Sequence, residues 1–352
     1  MNENNAIRKI FGEKKLQISR KPIINHVGIS NRIASSKSGI RKYRAVFPDS
    51  SEKCFIGKTK SSLIIANGIK LLSGGNPILF LMLVMNHKIL GYNQSYAREA
   101  VIYNGFDDSL KKYLPDIIGS LISRFNGSCF IAMEELGCHS CDNADLYRMT
   151  DAICEFHAHY FGASDCIGRL GINCYSPADY RKSRGFIKRL FNRLSDENLV
   201  IFGKAKLDLI CSFIDNMHNE FSAVEKRRTL THNDYSVRNI YADEQRICIY
   251  DWELACYQNP EHDIIELLVS VMTDIDDEKV KKVLEYYREK LSELTKTTLT
   301  DEEYSHLLRF NTLEFCVNKL SILRIGGQYL KLDYTQQLAK NTSRMFDILK
   351  IC

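Results

Sequence analysis

The stretch LTHNDYSVRNIYADEQRICIYDWELA, residues 230–255, constrains this chain more than any other part of its sequence. His232, Asp234 and Asn239 lie close together within it, and Asp251 follows a segment that reads as a strand, a polar turn and a second strand. Strands at both ends hold such a loop in place, so we expect its Asp and Asn side chains to converge on one point. The spacing therefore predicts chemistry on a loop that a rigid sheet carries.

The residue types in this stretch suit transfer of a phosphoryl group to a hydroxyl. A hydroxyl that attacks the terminal phosphate of a nucleotide needs a carboxylate to orient it and to accept its proton. Mg²⁺ held against the phosphates prefers carboxylate, amide and water oxygens. Asp234 would then be the base, while Asn239 and Asp251 would hold the metal. Any one of these residues alone is more often a turn residue, so the prediction depends on the joint pattern.

Composition places the chain among soluble globular proteins. Its 352 residues suit one large or two moderate domains, and 45% hydrophobic with 26% charged residues is ordinary. A net charge of +5 from 48 basic and 43 acidic side chains gives no case for nucleic acid. The longest apolar run, ILFLMLVM at 78–85, is too short to cross a bilayer, which takes about 20 residues. We expect this run to be a buried helix or strand, and we expect no membrane partner.

The cysteines indicate a reducing compartment. The chain has 12 cysteines, and its N-terminus MNENNAIRKIFGEKKLQ lacks the apolar core of a secretory signal. We therefore expect a cytoplasmic protein whose cysteines act as small buried hydrophobes. Cys138 and Cys141, in CHSC, have zinc-like spacing, but no second matching pair follows, and two loop cysteines explain them better.

The chain changes character along its length. Extended segments dominate the first 130 residues: INHVGIS at 24–30, IRKYRAVF at 40–47 and KCFIGK at 53–58, with the turn PDSSE between the last two. A further extended run, SCFIAMEEL, begins at Ser128. After Gly137 the apolar positions recur at three- and four-residue steps. This pattern predicts helices over residues 145–161, 263–272, 277–294, 302–323 and 335–349.

These segments predict an α+β chain with two lobes. A strand-rich N-terminal, nucleotide-binding lobe would span residues 1–135. A mostly helical C-terminal lobe, which carries the catalytic loop and an acceptor pocket, would span residues 136–352. No internal repeat or low-complexity tract interrupts either part.

The central motif also resembles a known family. HNDYSVRN with IYDWELA is similar to the catalytic loop and metal-binding segment of the aminoglycoside phosphotransferase and choline kinase family. These enzymes have a bilobal, protein-kinase-like fold and carry D-W-E where protein kinases carry D-F-G. The resemblance implies Asp234 as catalytic base, with Asn239 and Asp251 as magnesium ligands. NPEHDIIELL resembles the family's D-L-A helix start, which implies that Asp263 braces the catalytic loop and that His232 organises it.

The same resemblance points to a nucleotide-binding ion pair upstream. Such enzymes place a strand lysine on the nucleotide phosphates and pair it with a helix glutamate. KCFIGKTK offers Lys58, with Lys60 as a weaker candidate on the same face of the strand. YAREAVIY offers Glu99 and resembles the family's R-E-x-x-x-Y segment. The alternatives are a solvated strand-end lysine and a surface helix residue. An inserted element would fill the long stretch between Lys58 and Glu99.

Two further segments resemble parts of the family's nucleotide site. FIAMEELG resembles the hinge strand, where backbone groups near Glu134, Glu135 and Leu136 would bond the adenine. ASSKSGI stands where the phosphate-covering turn would be, with backbone amides from Ser36 to Gly39 cradling phosphate.

Two polar residues near the predicted site keep their alternatives. EFHAHYF resembles the family's L-H-A helix, which makes His157 a packed core histidine rather than a ligand. Arg238 stands beside Asn239, where either a contact with phosphate or substrate or a plain salt bridge would explain it.

The resemblance implies an O-phosphotransferase that uses ATP, or GTP, with Mg²⁺. Its partner would be a small-molecule acceptor: an amino sugar, an antibiotic, a choline-like alcohol or a sugar. The alternative is a non-catalytic, nucleotide-binding kinase homologue that acts as a scaffold or regulator, although such a homologue would be expected to have lost part of the motif. A cluster of acidic residues could suit a cationic or polyhydroxylated acceptor, and a solvated helix start explains the same residues equally well: Asp274, Asp276, Asp277 and Glu278.

Overall fold

A computed structural model describes the chain over residues 2–22, 39–137, 145–164, 168 and 171–351. Ser36, the strand predicted over residues 24–30, and the pair Cys138 and Cys141 lie outside these ranges.

A five-stranded antiparallel sheet dominates the N-terminal part of the described chain. Its strands are β1 (Gln17–Pro22), β2 (Ile40–Val46), β3 (Glu52–Ser61), β4 (Ile117–Ser123) and β5 (Ser128–Met133). They lie in the order β1-β2-β3-β5-β4. The β2–β3 hairpin confirms the prediction from the two extended runs and the turn between them. In that turn the Asp49 carboxylate accepts a hydrogen bond of 2.9 Å from the backbone N–H of Ser51.

The two faces of β3 serve different parts of the molecule, because side chains alternate along a strand. One face packs on a small core beneath helix α1 (Glu3–Phe11). Gly57 lies on that face, where a side chain would collide with the ring of Tyr43. Lys58 and Lys60 therefore share the opposite face, which is turned toward the rest of the chain.

Helices fill much of the N-terminal part, and the expectation that extended segments dominate the first 130 residues is wrong between residues 62 and 105. The helices there are α2 (Ser62–Leu72), α3 (Pro77–Met85) and α4 (Ser95–Gly105). α2 contains several β-branched isoleucines, which favour strands, but it packs against other helices. Tertiary packing thus overrides local propensity in this segment.

The apolar run ILFLMLVM lies in α3. Of the two forms expected for it, a helix or a strand, the structure shows the helix. Asn76 caps its N-terminus by accepting a hydrogen bond from Leu79 N, and Pro77 occupies the first turn. Its burial is only partial: Leu83 is 1% exposed, whereas Leu81 is 58% exposed. The expectation of a fully buried element is therefore wrong, because only one face of α3 has a helix to pack against.

The C-terminal part is mostly helical, as the sequence predicts. Its longer helices are α5 (Leu146–His159), α6 (Pro177–Asn192), α7 (Ser195–Val224), α8 (Glu261–Val271), α9 (Asp277–Thr295), α10 (Asp301–Phe315), α11 (Ser321–Leu330) and α12 (Tyr334–Ile348). The sequence analysis predicted all of these segments except α6, α7 and most of α11. A π-helical turn (Cys316–Leu320) joins α10 to α11, so the helix predicted over 302–323 runs on without a break to Leu330.

Short strands among these helices hold the predicted motif. They are β6 (Asn173–Cys174), β7 (Thr229–Thr231), β8 (Ile240–Ala242), β9 (Ile247–Ile249) and β10 (Cys256–Gln258). β8 and β9 form an antiparallel hairpin, and β10 pairs with both β7 and β6. The loop between β7 and β8 and the segment after β9 are therefore held at both ends, as the sequence predicts.

A buried tryptophan ties this hairpin to the helices. The Trp252 side chain is 0% exposed, and its ring centroid lies 4.9 Å from that of Phe106 and 4.8 Å from that of Phe156. The His232 ring lies 4.7 Å away on another side. Aromatic contacts of this kind fix the segment after β9 against the ends of α4 and α5. No helix in the described part of the chain is long and apolar enough to cross a membrane.

Candidate active site

The loop after β7 joins two of the predicted site residues directly. The amide Nδ2 of Asn239 donates hydrogen bonds to Asp234 Oδ2 at 2.7 Å and to the Asp234 backbone carbonyl at 2.8 Å. The Asp234 side chain is 24% exposed, so its carboxylate can still meet a ligand from solvent. The sequence motif thus produces a fixed carboxylate at an accessible surface.

A buried carboxylate holds the backbone of this loop. Asp263, at the start of α8, accepts hydrogen bonds from the backbone N–H of His232 at 2.7 Å and of Asn233 at 2.9 Å. His157 Nε2 lies 3.1 Å from the same carboxylate. Burial alone would raise the pKa of Asp263, but the hydrogen bond from His157 and the nearby histidines lower it below its usual value. The carboxylate therefore stays charged and fixes the loop, including Asn233 in its left-handed conformation at φ 59°.

The two histidines of the predicted site serve this framework. His157 is completely buried, and its Nδ1 lies 2.9 Å from the Tyr287 hydroxyl. His232 is also buried, and its Nε2 lies 2.9 Å from the Tyr250 carbonyl oxygen. His157 has the packed core position that the resemblance implies, and the role of His232 in organising the loop stays a prediction.

Asp251 sits at the centre of a second cluster of charges. Its Oδ1 lies 2.6 Å from Lys58 Nζ and 3.2 Å from Lys60 Nζ. Lys58 Nζ also lies 2.7 Å from Glu99 Oε2, so the structure brings this pair together across 41 residues of sequence. Lys60 pairs with Glu253, in the D-W-E segment.

The burial of Lys58 and Glu99 excludes the alternative interpretations of both residues as solvent-exposed. Lys58 is 7% exposed and Glu99 is 1% exposed, so neither a solvated strand-end lysine nor a surface helix residue describes them. Burial alone would lower the pKa of Lys58, but the adjacent Asp251 and Glu99 carboxylates raise it. Burial and the neighbouring Lys58 ammonium lower the pKa of Lys60, although the carboxylates near it raise that pKa. Lys58 is therefore the more firmly charged of the two lysines.

The donor atoms near Asp251 fit a magnesium ion. The amide nitrogen of Asn239 donates its hydrogen bonds to Asp234. The amide oxygen is therefore the atom of that side chain that can bind a metal ion. The backbone bond from Tyr250 N to Asn239 O, 3.0 Å long, fixes Asn239 beside the segment that leads to Asp251. Amide and carboxylate oxygens are ligands that Mg²⁺ prefers. Among the described residues no group of three or more His, Cys, Asp or Glu forms a site of another type.

In the predicted hinge, the backbone N–H and the carboxylate of Glu134 already bond other parts of the protein. The backbone N–H of Glu134 donates to Asp116 O at 2.9 Å, and its carboxylate pairs with Arg246 at 2.8 Å. That N–H is therefore not available to a nucleotide base. The prediction for this segment is therefore restricted to the carbonyl of Glu134 and the backbone of Glu135 and Leu136.

The predicted phosphate turn is described only at its end. Gly39 accepts a backbone hydrogen bond from Thr59 N, and a side chain at position 39 would collide with the Thr59 carbonyl oxygen. Glycine is therefore required here by the close approach of β2 and β3. A phosphate contact at Gly39 stays a prediction, and Ser36 lies outside the described residues.

The sequence analysis missed one lysine at the centre of the site. Lys319 Nζ lies 2.8 Å from Asp234 Oδ1 and 2.8 Å from the Asn233 carbonyl oxygen, and it also pairs with Glu266. Glu266 could have been suspected, since it stands one helical turn after Asp263 on α8. Lys319 had no sequence signal, because it follows Asp234 by 85 residues in an ordinary helical pattern.

Comparisons with known proteins identify the fold and the family of the chain. Curated proteins give no match. Among solved structures, the chain is similar to choline kinase LicA from Streptococcus pneumoniae, with 12% identity, a TM-score of 0.50 and 98% of each chain covered. A variant of aminoglycoside 2'-phosphotransferase-IIIa in complex with GDP gives 12% identity and a TM-score of 0.50 over 98% of this chain and 97% of that one. These similarities confirm the α+β, protein-kinase-like fold.

The family itself follows from the sequence match. A family model described as "Phosphotransferase enzyme family" matches residues 95–296, which include Glu99, Asp234, Asn239 and Asp251. The matched segment is more than half of the 352 residues. The protein therefore belongs to the phosphotransferase enzyme family.

Proposed function

We propose that this phosphotransferase transfers the terminal phosphoryl group of ATP, or of GTP, to a hydroxyl group of a small molecule. The proposal rests on the geometry of the site, in which the accessible carboxylate of Asp234 accepts a hydrogen bond from Asn239. The Lys58–Glu99 pair also contacts the carboxylate of Asp251. Phosphoryl transfer requires these three parts: a group that orients the attacking hydroxyl, oxygen ligands for a metal ion, and a cation for the phosphates.

The residues of the chain divide these roles. Asp234 would accept the hydrogen bond of the acceptor hydroxyl and take its proton as the new P–O bond forms. Asn239 and Asp251 would hold Mg²⁺ through their amide and carboxylate oxygens. The ion, when bound, neutralises the negative charge of the phosphate oxygens. Lys58 would bind the nucleotide phosphates while Glu99 holds it in place.

The remaining predicted contacts belong to the nucleotide. The carbonyl of Glu134 and the backbone of Glu135 and Leu136 would bond the base. Backbone amides from Ser36 to Gly39 would cover the phosphates. In this proposal residues 1–135 form the nucleotide-binding lobe and residues 136–352 form the lobe that carries the base and the acceptor pocket.

The acidic cluster gives no support to a cationic acceptor. Asp276 caps α9 by accepting a hydrogen bond of 2.7 Å from Lys279 N. Asp277 pairs with Arg344 at 2.6 Å, so this charge is already neutralised. The similar structures are a choline kinase and an aminoglycoside phosphotransferase, which supports a small hydroxylated acceptor in general terms.

A panel of acceptors tests the proposal. Hydroxylated metabolites and antibiotics are incubated with the enzyme, Mg²⁺ and ATP or GTP labelled at the terminal phosphate, and labelled product is scored. Asp234→Asn serves as the matched control, since it keeps the shape of the side chain but cannot take a proton. We expect at least one acceptor to be labelled by the wild type and not by the variant. Equal labelling by both proteins would contradict the assigned base.

A further inference from the structure

Lys319 is the one cation that bonds the carboxylate of Asp234 from outside its own loop among the described residues. Its ammonium group has three donors, and three acceptors surround it: Asp234 Oδ1, the Asn233 carbonyl and Glu266. The Lys319 side chain is 15% exposed. A lysine with all its donors used and little exposure is held in one position rather than left to sample solvent.

Lys319 and Asn239 hold the two oxygens of Asp234 separately. Asn239 Nδ2 donates to Oδ2, and Lys319 Nζ donates to Oδ1. Each carboxylate oxygen has two lone pairs, so each keeps one for another donor. The two bonds together fix the rotation of the carboxylate about its χ2 bond, which is otherwise soft. The remaining lone pairs are therefore directed at a fixed place.

The backbone around Lys319 departs from a regular helix at this point. Lys319 lies in the π-helical turn Cys316–Leu320, between α10 and α11. A π-helical turn inserts an extra residue, and such turns are frequent at functional sites. One inserted residue rotates the following side chains by about 100° around the helix axis. The turn thus offers a physical reason why a lysine in the C-terminal helices reaches the loop after β7.

Glu266 completes the arrangement from α8. It pairs with Lys319, and its Oε2 accepts a hydrogen bond of 3.1 Å from the backbone N–H of Tyr235, the residue after Asp234. Glu266 thus shares the Lys319 ammonium with Asp234, while the Arg238 guanidinium is a further positive charge near both carboxylates.

We propose that Lys319 is a positioning residue, which orients the Asp234 carboxylate toward the acceptor hydroxyl. The inference rests on the proposed function of Asp234 as the base. Lys319 acts through Asp234 and not on the nucleotide, so its loss should affect turnover while nucleotide binding stays unchanged. Loss of a lysine that only braced the fold would lower stability and the fraction of active enzyme, and that defect would add to the defect of Asp234→Asn.

Steady-state kinetics of Lys319→Met, with an acceptor identified by labelling, test this inference. We expect kcat to fall by about 10- to 150-fold, the usual effect of losing a charge-assisted hydrogen bond. KM for ATP should stay within about twofold. Lys319→Arg should recover part of the lost kcat, because it restores a cation at nearly the same place. Methylammonium or ethylammonium added to Lys319→Ala should also raise kcat. An unchanged kcat in Lys319→Met would overturn the inference.

Lys206→Met is the matched control. Lys206 is 19% exposed and contacts a carbonyl, a hydroxyl and a carboxylate on α12, through Ser343 at 2.9 Å and Asp347 at 2.8 Å. It has no contact with the loop after β7. We expect this variant to lose stability without a fall in kcat. A similar fall in kcat in both variants would mean that Lys319 serves only the fold.

A double-mutant cycle separates this inference from the proposed function. If Lys319 acts through Asp234, Asp234→Asn with Lys319→Met should be no slower than Asp234→Asn alone. Multiplication of the two defects would overturn the inference and leave the base in place. Wild-type turnover in Asp234→Asn alone would instead overturn the proposed function. Should Lys319→Met fail to fold, Lys319→Arg in the same cycle gives the same distinction.

Discussion

Asp251 is contacted by two lysines that lie two residues apart on one strand. Lys58 lies 2.7 Å from Glu99 Oε2 and Lys60 lies 3.6 Å from the same atom, while Lys60 alone also pairs with Glu253. Burial would raise the pKa of Asp251, but the two ammonium groups lower it well below its usual value. Asp251 therefore stays ionised, and both lysines contact the same oxygen, Oδ1.

Asp234→Asn separates chemistry from nucleotide binding. The variant keeps one oxygen and can hold the turn, because Asn shares the turn chemistry of Asp. It cannot accept the proton of the acceptor hydroxyl. We expect turnover to fall by about 10²–10⁴ while the affinity for Mg-ATP stays near that of the wild type. The measurement combines titration calorimetry of the nucleotide with steady-state turnover. Turnover within a few-fold of the wild type would make Asp234 a turn residue.

Lys58→Met and Lys60→Met form a matched pair on one strand. Lys58 bridges Glu99 and Asp251, so its loss should lower kcat/KM for ATP by roughly 30- to 150-fold. The loss should also lower stability, because the buried Glu99 then keeps only the more distant of its two lysines, Lys60 at 3.6 Å. Lys60→Met should affect kcat/KM less. Kinetics at varied ATP, with thermal melts of each variant, measure both effects. A larger kinetic defect in Lys60→Met would reverse the assignment.

The element between Lys58 and Glu99 is a pair of helices, α2 and α3, that docks on the C-terminal helices. Gly75, after α2, lies against the ring of Tyr329 on α11. Lys88, after α3, pairs with Asp179 on α6 at 2.8 Å. The sequence indicated an insertion here, because the stretch between Lys58 and Glu99 is long for the family that the chain resembles. Its docking was not predictable, because the buried face of α3 depends on a partner far away in the chain.

Element boundaries were predictable where local signals are strong and were missed where they are not. The strands β2 and β3 follow from β-rich runs with a turn between them, and β5 follows from a third such run. Helical periodicity predicted α8, α9, α10 and α12, whereas it predicted α11 only as far as residue 323. α6 was missed although its start carries a readable signal: Ser176 and Asp179 form a capping box with Pro177 in the first turn. α7 was harder to predict, because Gly203, at φ 72°, interrupts its pattern.

Leu83→Ala and Leu81→Ala compare the two faces of α3. Leu83 is 1% exposed and Leu81 is 58% exposed on the same short helix. Leu83→Ala removes buried side-chain volume and should lower the free energy of unfolding by about 2–5 kcal/mol. Leu81→Ala should change it by less than about 0.5 kcal/mol. Urea unfolding followed by circular dichroism provides both values. Equal effects would mean that α3 packs with a different face.

At the scale of the whole molecule, the site is assembled from segments that are far apart in sequence. Lys58 and Asp251 are 193 residues apart, and the family match at 95–296 contains neither Lys58 nor Lys319. The motif predicted Asp234, Asn239 and Asp251 because their offsets are local. Lys319 was not predictable, since only the folded C-terminal helices bring it to the loop. Lys58, the strand lysine, could be predicted only through the resemblance to the family, because no local spacing links it to the motif.

Asp251→Ala tests whether the distant segments act as one nucleotide site. A ligand at 100 times its Kd stabilises a protein by about 2.7 kcal/mol. For a chain of 352 residues this corresponds to a rise in Tm of about 4 °C. We expect ATP with Mg²⁺ to raise the Tm of the wild type and of Asp234→Asn by about that amount. In Asp251→Ala, which lacks a carboxylate ligand, ATP should give the same small shift with Mg²⁺ as with EDTA. Thermal melts of the three proteins under both conditions measure this, and a retained Mg²⁺-dependent shift in Asp251→Ala would remove Asp251 from the metal site.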